Sequence, residues 1–228
     1  DPNSVLTLGQ AGPQPTDGFL YMPSDNRAPY ANHPMTDQRG AGTLYTSLYS
    51  SAGVGTTAYS VQVWFKEESL STELPTYVFG RASGIADGND SQNRDCIGIG
   101  SGKYSTPAKK IYFWDGQTIV SSTSPQSVEA GKWYHLVYIR NGDSFTTYLN
   151  GKPALTGTVA WRGGDGDRLG IGMRADRSEP FMSIRGWYDE AAVWNRVLTE
   201  QEVRSLYLAA FPPYPAAVLA SNPAAYWR

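Results

Sequence analysis

Hydrophobic positions along this chain recur mainly with a period of two. In "YSVQVWFK", Tyr59, Val61, Val63 and Phe65 share one face of an extended segment, and Ser60, Gln62 and Trp64 share the other. Further strand-length runs follow: "TLYTSLYS", "TYVFGRA", "DCIGIG", "KIYFWDG", "TIVSS", "RLGIGMR" and "FMSIRGWYDEAAVW". "KWYHLVYIR" and "FTTYLNG" flank an Asn-Gly-Asp-Ser turn and read as a hairpin. Two runs alternate aliphatic residues with glycine, Ile97 to Gly100 and Leu169 to Gly172. Such a pattern leaves one sheet face bare for another backbone or a large aromatic ring. The helical period is clear once, in "NRVLTEQEVRSLYLAAFPP". Thr199 is the natural N-cap and Glu202 completes a capping box. Val203, Leu206 and Tyr207 form the apolar stripe, and Pro212-Pro213 ends the helix. The predicted fold is therefore all-β, a two-sheet antiparallel jelly-roll sandwich with one short C-terminal helix.

Composition divides the chain into three parts. Residues 1–42 are dense in Pro, Gly, Asn and Asp and read as an arm, with edge strands expected near Val5–Leu8 and Phe19–Met22. Residues 43–211 hold the jelly-roll domain, and residues 212–228 read as a linker running into the start of a following module. The opening Asp1-Pro2 adds the expectation of a segment from a longer, multidomain protein. Net charge is −2 with no basic stripe, which argues against nucleic acid as a partner. No apolar run reaches the length of a membrane span, so membrane insertion is not expected. Cys96 is the only cysteine, so no disulfide can form within the chain.

Candidate chemistry starts at Asp189-Glu190. Adjacent strand residues point to opposite faces, whereas a retaining glycosidase needs two carboxyls about 5–5.5 Å apart on one bond. No catalytic residue is assigned on that ground. Asp189 is left as a backbone-anchoring acid or a cation ligand. "GIADGNDSQNRD" concentrates hard oxygen donors, and Asp87, Asn89, Asp90 and Asp95 are the calcium candidates there. The alternative for that stretch is a polar surface turn. His135 lies on an apolar strand face and reads as a core histidine. Tyr104, Trp114 and Trp161 lie near turns beside Lys103, Asp115 and Arg162. These three are the candidate ligand-binding aromatics, because sugar C–H faces stack on rings while sugar edges need hydrogen bonds. Core packing is the competing role for the same rings.

"GKWYHLVYIRNGDSFTTYLNGKPALTGT" and "GWYDEAAVWNRVLTEQEVRSLY" together resemble the laminin-G-like jelly-roll domains of the concanavalin A-like lectin/glucanase superfamily. The matching positions are Gly131, Trp133 and His135; Tyr148, Asn150 and Gly151; Gly186, Asp189 and Glu190; and Asn195, Arg196, Leu198 and Thr199. Tyr188 departs from the aliphatic residue usual before the acid pair, and Ala192 from a polar one. The glucanases of that superfamily carry a Glu-x-Asp-x-Glu triplet, which this chain lacks. The resemblance implies a non-catalytic, extracellular or cell-surface binding and adhesion module of a bacterial protein, with a rim calcium ion. Its expected partners are a glycan or surface protein and neighbouring modules of the same chain. The alternatives are a purely structural spacer and, from another class, a polysaccharide-degrading enzyme.

Overall fold

The computed structural model describes residues 5–11, 27–32, 45–46, 56–83, 93–163, 168–172, 184 and 186–211. The described strands are β1 (Val5–Ala11), β2 (Arg27–Asn32), β3 (Tyr45–Thr46), β4 (Ala58–Glu67), β5 (Thr76–Ala82), β6 (Asn93–Ile99) and β7 (Ile111–Trp114). They continue with β8 (Ile119–Ser121), β9 (Tyr134–Asn141), β10 (Ser144–Leu149), β11 (Lys152–Thr158), β12 (Arg168–Ile171) and β13 (Gly186–Trp194). Helix α1 (Glu200–Leu208) follows. One sheet has the order β1-β2-β13-β4-β9-β10-β11 and the other β3-β12-β5-β6-β7-β8. Every pairing is antiparallel. This is the predicted all-β sandwich.

The core lies between the sheets and follows the period-two pattern. Tyr59, Val61, Val63 and Phe65 of β4 meet Phe79, Ile97, Ile99, Ile111 and Phe113 of the facing sheet. The other face of β4 is buried too, which alternation alone does not reveal, because the C-terminal segment packs across it. Ser60 Oγ donates to Arg196 O at 2.8 Å and accepts from Leu198 N at 3.1 Å. Trp64 packs on His135 at 5.0 Å and on Tyr207 of α1 at 6.0 Å. Thr199 caps the helix with the full reciprocal box. Val203 and Leu206 pack with Val137, Ile139, Tyr148 and Leu198 on the outside of the first sheet.

Three local features depart from simple patterning. β2 lies at Arg27–Asn32, and with β1 it extends the first sheet through β13; the strand expected at Phe19–Met22 lies outside the described residues. Its pairing with β1 is irregular between Thr7 and Gln10, opposite Pro29, which has no amide hydrogen to give. β11 is an edge strand that tolerates Pro153, which is why its sequence does not read as a strand. Tyr188 is buried, and its hydroxyl donates to Ile184 O at 2.9 Å, so an aromatic fits where an aliphatic residue is usual. The glycine alternation serves as expected. A Cβ at Gly98 would overlap both the Tyr112 ring and the backbone oxygen of Thr76.

Candidate functional site

The sequence candidates fall in several places. Asp87, Asn89 and Asp90 lie outside the described residues. Asp95, on β6, is 2% exposed. One of its carboxylate oxygens accepts from Arg81 Nη2 at 3.0 Å, from Arg81 Nε at 3.2 Å and from the Tyr59 hydroxyl. The other accepts from Arg140 Nη1 at 3.3 Å. Two guanidiniums around one carboxylate leave a positive excess, which repels a cation. Asp95 therefore belongs to a core ion-pair network rather than to a calcium shell. Among the described residues, no group of three or more His, Cys, Asp and Glu side chains is placed to hold a metal ion.

Asp189 and Glu190 sit at a one-residue bulge, where three steps of β13 span two of β4. Strict alternation fails there because Glu190 adopts φ +49° and turns to solvent. Asp189 Oδ1 accepts from Glu190 N at 2.9 Å, an anchoring contact with the backbone. Gln62 Nε2 donates to Glu190 O at 3.0 Å, so its Oε1 faces His135 Nε2 at 3.0 Å. That orientation places the imidazole proton on Nε2. Burial pushes His135 down to about 4.

The three candidate aromatics are not brought together. Tyr104 is 61% exposed on the β6–β7 loop, next to Ser105, and both residues have positive φ. Trp114 lies at the far end of β7, tilted against Tyr77 at 6.0 Å. Trp161 lies over the Asp95 network, with Arg81 at 4.3 Å, Arg140 at 5.5 Å and Tyr59 at 6.3 Å from its ring. Arg162 fastens that segment by bonding Asp115 Oδ2 at 3.0 Å. Trp161 is partly buried and packs against the core beside these arginines.

At the end of the sandwich that carries Tyr104, a cleft of about 460 Å³ opens beside the β10–β11 turn. Gln126, Ser127, Tyr134, Asn150, Lys152 and Tyr207 line it, with Leu149 beneath. Asn150 and Gly151 have φ of 53° and 71°, the paired left-handed conformation of a tight hairpin turn. Asn150 Oδ1 accepts from His135 N at 2.9 Å, and Asn150 N donates to His135 O at 2.8 Å. The Tyr207 ring lies so close to Gly151 that a Cβ there would meet it at 3.0 Å. The Gln126 wall is held from behind by Lys110 Nζ, which donates to Ser124 O at 3.0 Å and to Pro125 O and Gln126 O at 2.9 Å. The Tyr134 hydroxyl accepts from Glu129 N at 2.9 Å, and burial pushes that phenol up.

A cleft of this size with amide, hydroxyl and ammonium edges beside tyrosine rings can hold one or two sugar rings. Sequence reasoning placed Asn150 among the positions that match the family pattern and Tyr207 in the helix stripe, but it missed the cleft. The Asn-Gly turn followed by an exposed lysine was the only local signal. Among the described residues, no helix is long and apolar enough to cross a membrane.

Fold and cleft together define a lectin-like β-sandwich. The chain belongs to the concanavalin A-like lectin/glucanases superfamily, and residues 40–204 match its laminin-G-type model. Domain 4 of an extracellular arabinanase from Geobacillus stearothermophilus, solved in complex with arabinotriose, is 19% identical. That likeness covers 89% of this chain and 87% of that one, with a TM-score of 0.56. A Trypanosoma rangeli sialidase with 2,3-difluorosialic acid is 14% identical over 92% of this chain, with a TM-score of 0.54. This chain spans only 33% of that enzyme. A heptameric pentraxin from Limulus polyphemus is 18% identical, covering 67% of this chain and 70% of that one, with a TM-score of 0.50. At these identities the likenesses are of fold. No curated protein sequence matches the chain significantly.

Proposed function

We propose that the chain is a non-catalytic glycan-binding module of an extracellular or cell-surface protein. The observation that carries this reading is the cleft at the β10–β11 turn. The side-chain nitrogens of Gln126, Asn150 and Lys152 have no hydrogen-bond partner among the described residues, and the Tyr207 ring stands beside them. Vicinal sugar hydroxyls take such donors, while an apolar sugar face takes the ring. Superfamily membership and the arabinotriose bound to the arabinanase domain support the same class of ligand. The non-catalytic reading is supported by the described lining residues, none of which has a carboxyl group to act as acid, base or nucleophile.

Calcium enters the proposal through Asp87, Asn89 and Asp90, whose oxygen donors suit a hard cation. Asp95 does not join them, because Arg81 and Arg140 occupy its carboxylate. A glycan array run with calcium and with chelator tests both parts. Binding that Gln126→Ala weakens supports the cleft, and binding lost with chelator supports the metal. No binding in either condition favours the spacer reading, which gains from one observation, the use of Trp161 for packing. Turnover of any polysaccharide in a hydrolysis panel would restore the enzyme reading.

A further inference from the structure

We infer that the glycan taken at this cleft carries a negative charge, set against Lys152. The inference rests on the glycan-binding reading above and names the class of ligand.

Charge at the cleft is one-sided. Lys152 is exposed at the start of β11 and has no acidic partner among the described residues. A second cation stands behind the Gln126 wall. Lys110 Nζ is held by three backbone carbonyls, which are neutral, so its full charge remains. Among the described residues, no aspartate or glutamate lines the cleft. Glu129, which flanks Tyr134, is paired with Lys132 at 2.9 Å and adds little net field. The helix end that brings Tyr207 is the negative pole of α1, but its carbonyls at Ser205, Tyr207 and Leu208 accept from the amides of Ala209, Ala210 and Phe211.

The chain as a whole carries −2, so this positive site is a local arrangement rather than a general basic character. An anionic sugar would place its charged group at Lys152, and its hydroxyls could pair with the Gln126 and Asn150 amides. Carboxylated sugars and sulfated sugars both offer that anion, and the assay separates them.

The test is a titration of matched oligosaccharides by calorimetry. The pairs are trigalacturonate with its methyl ester, sialyllactose with lactose and, as the second anion source, a carboxyl-free sulfated carrageenan fragment with its desulfated form. The anionic member of a pair is expected to bind on the order of two- to fivefold tighter, the worth of one partly screened charge pair. That advantage should shrink at high salt, vanish in Lys152→Gln and persist in Lys152→Arg. Preference for the carboxylated set over the sulfated set, or the reverse, identifies the source. Neutral sugars binding as well as their anionic partners, or an anionic preference that survives Lys152→Gln, would overturn the inference and leave glycan binding standing. No binding of any sugar would overturn both. An unchanged melting temperature of Lys152→Gln excludes unfolding as the cause of a loss.

Discussion

Replacing Glu67 by Gln should make the protein more stable at neutral and alkaline pH, and the size of the gain follows from burial. Glu67 ends β4 and is 1% exposed, and its Oε2 has no hydrogen-bond partner. Burial pushes its carboxyl up from 4.5 to about 8, with a Thr76 hydrogen bond opposing the rise. Between those two values the native protein holds a proton that the unfolded chain has released. Stability is therefore fully present below pH 4.5 and is lost as pH rises through 8. At about 1.36 kcal/mol per pH unit, the whole loss is on the order of 5 kcal/mol, and about 3 kcal/mol of it is present at neutral pH. Gln has the shape and neutrality of the protonated acid, so it should remove the loss.

Guanidinium unfolding at several pH values from 6.5 to about 9 reads the effect directly. In that window His135 is neutral in both the folded and the unfolded chain for most of the range, so Glu67 dominates the slope. Wild type should lose stability steadily up to about pH 8, while Glu67→Gln should stay nearly level. Parallel slopes for the two proteins, or a Glu67 carboxyl that titrates by NMR near 4.5, would refute the reasoning.

Other consequences are equally open to measurement. His135, held at about 4 against 6.5, binds its proton only after unfolding, so stability should fall by roughly 3 kcal/mol as pH drops through that interval. Because the Glu67 slope opposes it there, thermal unfolding in the Glu67→Gln background should expose this acid limb. Asp95→Asn leaves Arg81 and Arg140 buried without a counter-charge and should cost about 3–5 kcal/mol in chemical denaturation. Thr199→Ala removes the acceptor for Glu202 N and should cost about 1 kcal/mol, without changing the spectrum of the strands. Gly98→Ala drives a methyl into Tyr112 and the Thr76 carbonyl, and a loss of about 1–3 kcal/mol is expected in the same assay.

What was legible in the sequence is what depends on neighbours along the chain. The alternation in β4, the capping box at Thr199 and the hairpin across Asn141–Ser144 are local patterns, and all three stand in the structure. Which loops share an end of the sandwich depends on strand order, and strand order brings residues far apart in sequence to one rim. Tyr104 and Trp114 are ten residues apart in sequence, yet β7 carries them to opposite ends. Gln126, Lys152 and Tyr207 belong to separate segments, yet they face one another across the cleft.

The same distinction explains Asp95 and Trp161. Each looked like a ligand-binding residue beside its sequence neighbours, but each is claimed by distant arginines. A buried arginine needs both a carboxylate and carbonyl oxygens. Arg140 takes Asp95 at 3.3 Å, Gly142 O at 2.7 Å and the carbonyl of Val159. Composition shows that the acids and aromatics are present, but it does not show which of them the core has already consumed. The residues left to meet a ligand are those whose polar atoms remain uncommitted after that accounting. At the β10–β11 end these are the Gln126 and Asn150 amides and Lys152, which is why the ligand hypothesis moves from the tryptophans to this cleft.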